Sequence, residues 1–484
     1  MAQAQDTPYS GYTNITETVG ISYNTLTQGT GYLYGFYGWG GVLILPLALK
    51  FGHRPVYLGT MLVVFAMCIW VPWITTDGQW IASRIIYGTF GSPCESLNEV
   101  SISMIYYSHE RGYYLGFYTI ALYAGAFLAP ACSGYLFDAA GLSGVMYFTS
   151  GVAALCFFIL FFFFEEVSYN QKPEFARVAA RANPRITDDK LSASRSNSPH
   201  ASEKETAAAV FTAVEPLRLG QDRGLIGKNH SYLYTLGMFR EVYCTNRQMF
   251  DACWRPFYML VKFPCIFYAG FSLGVSLCIY TVLTGTIGTV LGAPPYSFGS
   301  GPIGLVYLGP LLVAFFAGPL TGAIGDRMVI RSARKNQGLR EPEARLWINL
   351  FNVGIVPPAF VLWGVGAVHG VHWFGLEVAL TCIGAFVVVQ AAVSCAYILD
   401  CYKEMALEVM IAAVLVRNTM GFALGYAVAP WVEGMGVQNM HLSMGFVGAA
   451  FSGTFLLFVW KGKWLRAQTK DTFWRLAATT PIKH

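Results

Sequence analysis

Long apolar runs fill most of this chain, and short polar or glycine-containing breaks separate them. Five runs, at 30–50, 55–74, 80–107, 113–136 and 143–164, precede a polar stretch, and six more, at 263–286, 302–325, 347–368, 373–398, 405–431 and 441–460, follow it. Each is near the ~20 residues that a helix rising ~1.5 Å per residue needs to cross a ~30 Å hydrocarbon core. The alternating ~10-residue strands of an outer-membrane barrel do not occur. The pattern predicts an all-α integral membrane protein of about 11 transmembrane helices in two blocks, 30–164 and 263–460. Pro357-Pro358 is expected to kink the eighth span, because an internal proline removes one helical hydrogen bond.

The remaining segments differ in kind. Residues 1–29 are polar, and Asn14-Ile15-Thr16 is a glycosylation sequon. From 165 to about 230 the chain is charged and serine-rich, which predicts disorder, and Ser198-Pro199 is a candidate phosphosite there. Aromatics return from Ser231 to Val261 with Arg240, Arg247, Arg255 and the following Lys262, which suits a helix lying in the membrane interface. The basic tail 461–484 carries Trp464 and Trp474, also suited to an interface.

Composition agrees with a membrane protein: 55% of residues are hydrophobic and 12% charged, against about 25% charged in soluble domains. The net charge of +5 is modest. With no basic patch interleaved with aromatics, a nucleic-acid partner is not expected. The eleven cysteines form no C-x-x-C pair and read as small packing residues. His369 and His372 have no third ligand nearby in sequence, so no metal is expected. No phosphate-binding loop, dinucleotide fingerprint or nucleophile–base arrangement appears, so neither cofactor nor enzymatic activity is expected. The first thirty residues lack Lys, Arg and an apolar core, so no secretory leader is expected.

Lysine and arginine fall on alternate loops. Lys50, Arg54, Arg111, Arg327, Arg331, Arg334, Lys335, Arg340, Arg345, Lys403 and the tail lie on one set, whereas 75–79, 137–141, 287–301, 369–372 and 432–440 contain none. The positive-inside rule then sets the N-terminus outside and the C-terminus in the cytoplasm. Asn14 would face glycosylation machinery.

Candidate chemistry concentrates in the third run, Trp80 to Tyr107, read as one helix carrying Arg84, Glu95, Asn98 and Glu99. Glu95 and Glu99 are one turn apart and share a face. Ionised carboxylates facing lipid are costly, so this face should look into a water-accessible vestibule and exchange protons or bind solute there. The competing reading is a buried polar patch that only fixes helix packing. Arg417-Asn418 lies mid-span, and Arg417 needs a partner, with Glu99 and Glu408 the candidates. A structural ion pair is preferred there over a substrate contact. Gln390 and Asn352 either line the cavity or bond to neighbouring helices.

The two blocks echo each other: Pro46-Leu47 precedes Gly52-His53-Arg54 as Pro319-Leu320 precedes Gly325-Asp326-Arg327. Two related helical halves around a cavity is a common secondary-transporter architecture. The stretches L-A-L-K-F-G-H-R-P-V-Y-L at 47–58, R-I-I-Y-G at 84–88, A-G-A-F-L-A-P-A-C-S-G at 124–134, G-A-I-G-D-R at 322–327, R-E-P-E-A-R-L at 340–346 and Y-K-E-M-A-L-E at 402–408 with R-N-T at 417–419 carry a family resemblance. The chain resembles the major facilitator superfamily, in the fungal branch of twelve-helix drug:proton antiporters and polyamine-type transporters.

The resemblance implies a two-bundle fold and alternating-access transport of a small organic, cationic or drug-like solute coupled to protons. It implies a monomer in the plasma membrane. It also implies gating roles for Gly52 and Arg54 in the 2–3 loop, for Gly125, Pro130 and Gly134 in the fifth family helix, and for Asp326 and Arg327 at a membrane edge. The last pair is expected to latch a gate by setting a cation against a helix C-terminus. Departures are Leu49 where the family has Asp, and Ala129 and Ser133 where it has Gly. I-S-Y-N-T-L at 21–26 resembles the end of the family's first helix and its following loop, so the first of the usual twelve helices is expected to be missing. The alternative is therefore a truncated, transport-incompetent member that acts as a binding or sensor protein.

Overall fold

The computed structural model describes residues 20–106, 111–165, 246–337 and 341–479, and it is helical throughout, with no strand among them. Asn14, Ser198-Pro199, Arg340 and the serine-rich stretch lie outside the described residues. Five helices make the first half: α1 (Tyr23–Phe51), α2 (His53–Trp70), α3 (Asp77–Gly91), α4 (Pro93–Ile105) and α5 (Arg111–Phe163). After α6 (Asn246–Lys262), the second half holds α7 (Pro264–Gly292), the short α8 (Ser300–Leu305), α9 (Leu308–Lys335), α10 (Asn349–Val368), α11 (Trp373–Cys401), α12 (Ala406–Gly453) and α13 (Phe455–Thr479).

Eight helical stretches among the described residues are long and apolar enough to cross a membrane. Two of them exceed one crossing. The 53-residue α5 is interrupted at Gly141 (φ 62°) and the 48-residue α12 at Gly436 (φ 76°). Both glycines sit in the left-handed region, where a Cβ would clash, so each is a sharp turn between two antiparallel-capable segments. Dividing these two and adding the α3–α4 pair gives eleven crossings.

Local differences from the sequence reading have identifiable causes. The third run is two helices rather than one: α3 ends at Gly91 and α4 starts at Pro93, with Ser92 between them still in helical geometry. Pro93 has no N–H to continue the ladder, which breaks the hydrogen bonding without turning the chain. Residues 23–26 are the first turn of α1 rather than a loop. Ser22 caps α1, its Oγ accepting from Thr25 N–H at 3.1 Å, which satisfies an otherwise unpaired donor of the first turn. The loop expected at 137–141 shrinks to Gly141, and α13 carries helix through most of the tail. α10 runs through Pro357 and Pro358 as one helix.

The echo between halves is sequential rather than conformational. Gly52 separates α1 from α2 with φ 95°, whereas Gly325 is inside α9. The two halves meet along two seams where small residues let backbones touch. On α1, the G-x-x-x-G pair Gly31 and Gly35 faces α12, and a Cβ on Gly425 would lie 2.4 Å from the Gly31 Cα. On α5, a Cβ on Gly116 would lie 2.7 Å from the Gly318 carbonyl of α9, and one on Gly134 would lie 2.4 Å from the Ser300 carbonyl. These seams hold α4 and α12 close enough for side chains from opposite halves to bond.

Candidate functional site: a buried carboxylate pair between the halves

Glu95 occupies the first turn of α4, where the helix N-terminus favours an anion. Glu99 follows one turn later, and the two residues are 5% and 6% exposed. Both therefore face protein and not lipid. Their surroundings differ. Arg417 of α12 donates from Nη2 to Glu95 Oε1 at 2.8 Å, and Asn418 Nδ2 approaches Glu95 Oε2 at 3.4 Å. Tyr118 of α5 donates its hydroxyl to the Glu95 carbonyl at 3.0 Å. Among the described residues no cation is bonded to Glu99. The Cys395 thiol of α11 donates to its Oε1 at 3.0 Å, and its Oε2 accepts no hydrogen bond among the described residues.

The arrangement sorts two neighbouring carboxylates into different chemistry. Glu95 is a charge-compensated anion in an ion pair that ties the first half to the second. A buried pair of this kind is costly to desolvate and far costlier to break on one side. Glu99 makes no ion pair among the described residues, and a proton or a cationic group is what neutralises such a carboxylate. The Arg417–Glu95 bond and the Cys395–Glu99 contact tie the two halves together at the pair.

Arg417 pairs with neither of the partners suggested by sequence. Glu408 lies nine residues away on the same helix, which at 100° per residue is the opposite face, and it bonds Arg255 of α6 at 3.1 Å. Glu99 takes the Cys395 thiol instead. Arg84 does not join the cluster either. It lies eleven residues, ~16 Å of helix, before Glu95, and its guanidinium stacks over the Trp80 ring at 4.0 Å. Asn98 is half-buried on α4, about 100° around the helix from Glu99.

Gln390 belongs to a separate network within the second half. It accepts from Asn352 Nδ2 at 2.7 Å and donates to Ser272, whose hydroxyl pairs with Ser394 at 2.8 Å. That network joins α7, α10 and α11 and does not touch Glu95 or Glu99. His369 and His372 bond their own backbone.

The gating residues form links at both ends of the α5 seam. At the lysine- and arginine-rich end, Asp326 of α9 accepts from the Tyr113 backbone N–H, at the start of α5, at 3.1 Å, and from Arg345 at 2.7 Å. Arg345 also holds Asp400 at 3.0 Å. The link is thus an anion at a helix N-terminus, the reverse in sign and end of the cation latch expected of Asp326-Arg327, and Arg327 is exposed. The cation at a helix C-terminus is instead Arg54, which donates to the Phe161 carbonyl near the end of α5 at 2.6 Å. At the opposite end, Asp138 of α5 accepts from the Gly301 N–H at 3.1 Å. Gly125 is half-buried on α5, and Pro130 presents its carbonyl to Gly304, where a Cβ would lie 2.5 Å away.

Two residues escaped the sequence reading. Cys395 was grouped with inert packing cysteines, and nothing local distinguishes it. Asp138 lay in a stretch noted only for lacking Lys and Arg, although a lone carboxylate at a membrane edge was itself a visible signal.

Two helical halves, glycine-tight seams between them and a buried polar site across the interface define a secondary-transporter architecture. The chain belongs to the Major Facilitator Superfamily, whose family description matches residues 7–339. It is 23% identical over 475 residues to an uncharacterized MFS-type transporter of Schizosaccharomyces pombe, covering 94% of this chain and 80% of that one. It is 22% identical to the protein HOL1 of Saccharomyces cerevisiae over 94% of this chain and 83% of that one. The fold is similar to that of the proton:xylose symporter XylE, with a TM-score of 0.59 at 13% identity over 95% of this chain and 92% of that one. The family and the Schizosaccharomyces pombe relative are those of transporters, not enzymes.

Proposed function

We propose that the protein moves a small organic, cationic solute across the plasma membrane by alternating access, in exchange with protons. It resembles the fungal drug:proton antiporter and polyamine-type branch of the superfamily. The observation that carries this reading is Glu99: a buried carboxylate between the halves that, among the described residues, has one oxygen accepting no hydrogen bond and no cation bonded to it. A proton and an organic cation would compete for that carboxylate, and exclusive occupancy of one site is sufficient to couple two fluxes. Glu95 would stay paired with Arg417 and hold the halves in register. Opening toward either side would release one end of the α5 seam, Asp326–Tyr113 or Asp138–Gly301. The lysine- and arginine-rich end would face the cytoplasm, with the N-terminus outside and the C-terminus inside.

The test is uptake of labelled organic cations, spermidine and tetraphenylphosphonium among them, into proteoliposomes with and without an imposed pH gradient. One pH unit stores about 1.4 kcal/mol, so one-for-one exchange sustains about a tenfold solute gradient. Accumulation of that order, collapsed by a protonophore, is the expected outcome. Equal fluxes with and without the gradient would remove proton coupling from the account.

A further inference from the structure

A second polar feature lies away from the carboxylate pair, at the lysine- and arginine-rich end of the second half. A groove of about 350 Å³ runs between the end of α9, the 3₁₀ segment Pro342–Ile348 and α13. One wall carries Arg331 and Lys335, one turn apart and exposed, with Ser332 between them. The opposite wall carries Glu341 and Glu343, but these already have partners. Lys463 bonds Glu341 at 2.6 Å, and Arg466 grips Glu343 through both carboxylate oxygens at 2.6 and 2.8 Å. Arg331 and Lys335 make no ion pair among the described residues. The groove therefore offers two uncompensated cations and a hydroxyl.

Its setting is that of a membrane interface. Trp347 lines the groove, and α13, which contributes Val459 to it, carries the exposed Trp460 and Trp464, as indoles stand at headgroup depth. On α9 the exposed positions leading to the groove are Leu312, Phe316, Leu320 and Ile324, each one turn from the next, followed by Arg331 and Lys335. The stripe passes from apolar to cationic along one helix face. That is the polarity profile of one phospholipid, with acyl chains beside the leucines and a headgroup beside the basic pair.

We infer that this groove binds the headgroup of an anionic phospholipid, with Arg331, Lys335 and Ser332 on the phosphate and the acyl chains along α9. The inference stands apart from the transport reading, since it needs neither a substrate nor a proton gradient.

The experiment uses the full chain in nanodiscs of phosphatidylcholine with and without phosphatidylserine, and counts retained phosphatidylserine by native mass spectrometry. Nanodiscs expose both leaflets, so the result does not depend on orientation. Arg331→Ala/Lys335→Ala is expected to bind phosphatidylserine about thirtyfold more weakly than wild type. Lys470→Ala/Arg475→Ala, which removes equal charge from an exposed part of α13, should bind like wild type. Ser332→Trp keeps both cations but fills the groove and should also lose the lipid. Equal losses in the two double variants would mean that net charge alone attracts lipid, and would overturn the site. Displacement of the lipid by inorganic phosphate at matched concentration would overturn the lipid assignment in favour of a soluble anion.

Discussion

Glu99→Gln is expected to abolish gradient-driven accumulation while leaving a folded protein. Glutamine keeps the shape of glutamate and retains an oxygen at Oε1, so the 3.0 Å contact from the Cys395 thiol survives. No cation is bonded to Glu99 among the described residues, so the substitution strands no ion-pair partner there. What disappears is the exchangeable proton. In proteoliposomes the solute gradient should fall from about tenfold per pH unit to about one, since nothing then couples the fluxes. Glu95→Gln should behave differently, because it leaves Arg417 without its 2.8 Å partner and weakens the fold as well as transport. Undiminished accumulation by Glu99→Gln would move the proton site elsewhere.

Arg417→Ala is the second change with a large expected effect, and here the effect is on the fold. It leaves Glu95, 5% exposed, facing Asn418 alone. Breaking one side of a buried ion pair typically costs about 3–5 kcal/mol, a large fraction of the stability of most proteins. The purified variant should melt well below wild type or fail to accumulate. Glu95→Gln in the same chain removes the stranded charge, and the double variant should recover much of the loss, with an interaction term of about 1–3 kcal/mol in the double-mutant cycle. If Arg417 were instead a substrate contact, the single variant would melt normally and lose only binding.

Different levels of this architecture were legible to different degrees. The fold class follows from run length and from the count of Lys and Arg, because a bilayer fixes both. The shared face of Glu95 and Glu99 follows from helical periodicity, which local sequence encodes fully. Pro93 was equally visible and should have divided the third run. The partners were not legible. That Arg417 meets Glu95 rather than Glu408 or Glu99 depends on how far α12 slides against α4, and that register is set by contacts such as Gly31 on Gly425 elsewhere in the seam. Cys395 gains its contact with Glu99 from a third helix, across nearly three hundred residues of chain. The sign of the Asp326 link also lay beyond local reading, because it required knowing that the start of α5, rather than a helix C-terminus, abuts the end of α9.

Alternating access requires Glu99 to reach water from each side in turn, and Cys395, in contact with it, is a native reporter. In a chain retaining only this cysteine, small thiol reagents applied to one side or the other during turnover test that access. Labelling from each side in turn, with a rate that shifts when the pH gradient is reversed and falls when solute saturates the site, is the predicted result. Wild-type transport with Cys395 untouched from both sides would place the solute path elsewhere and contradict it.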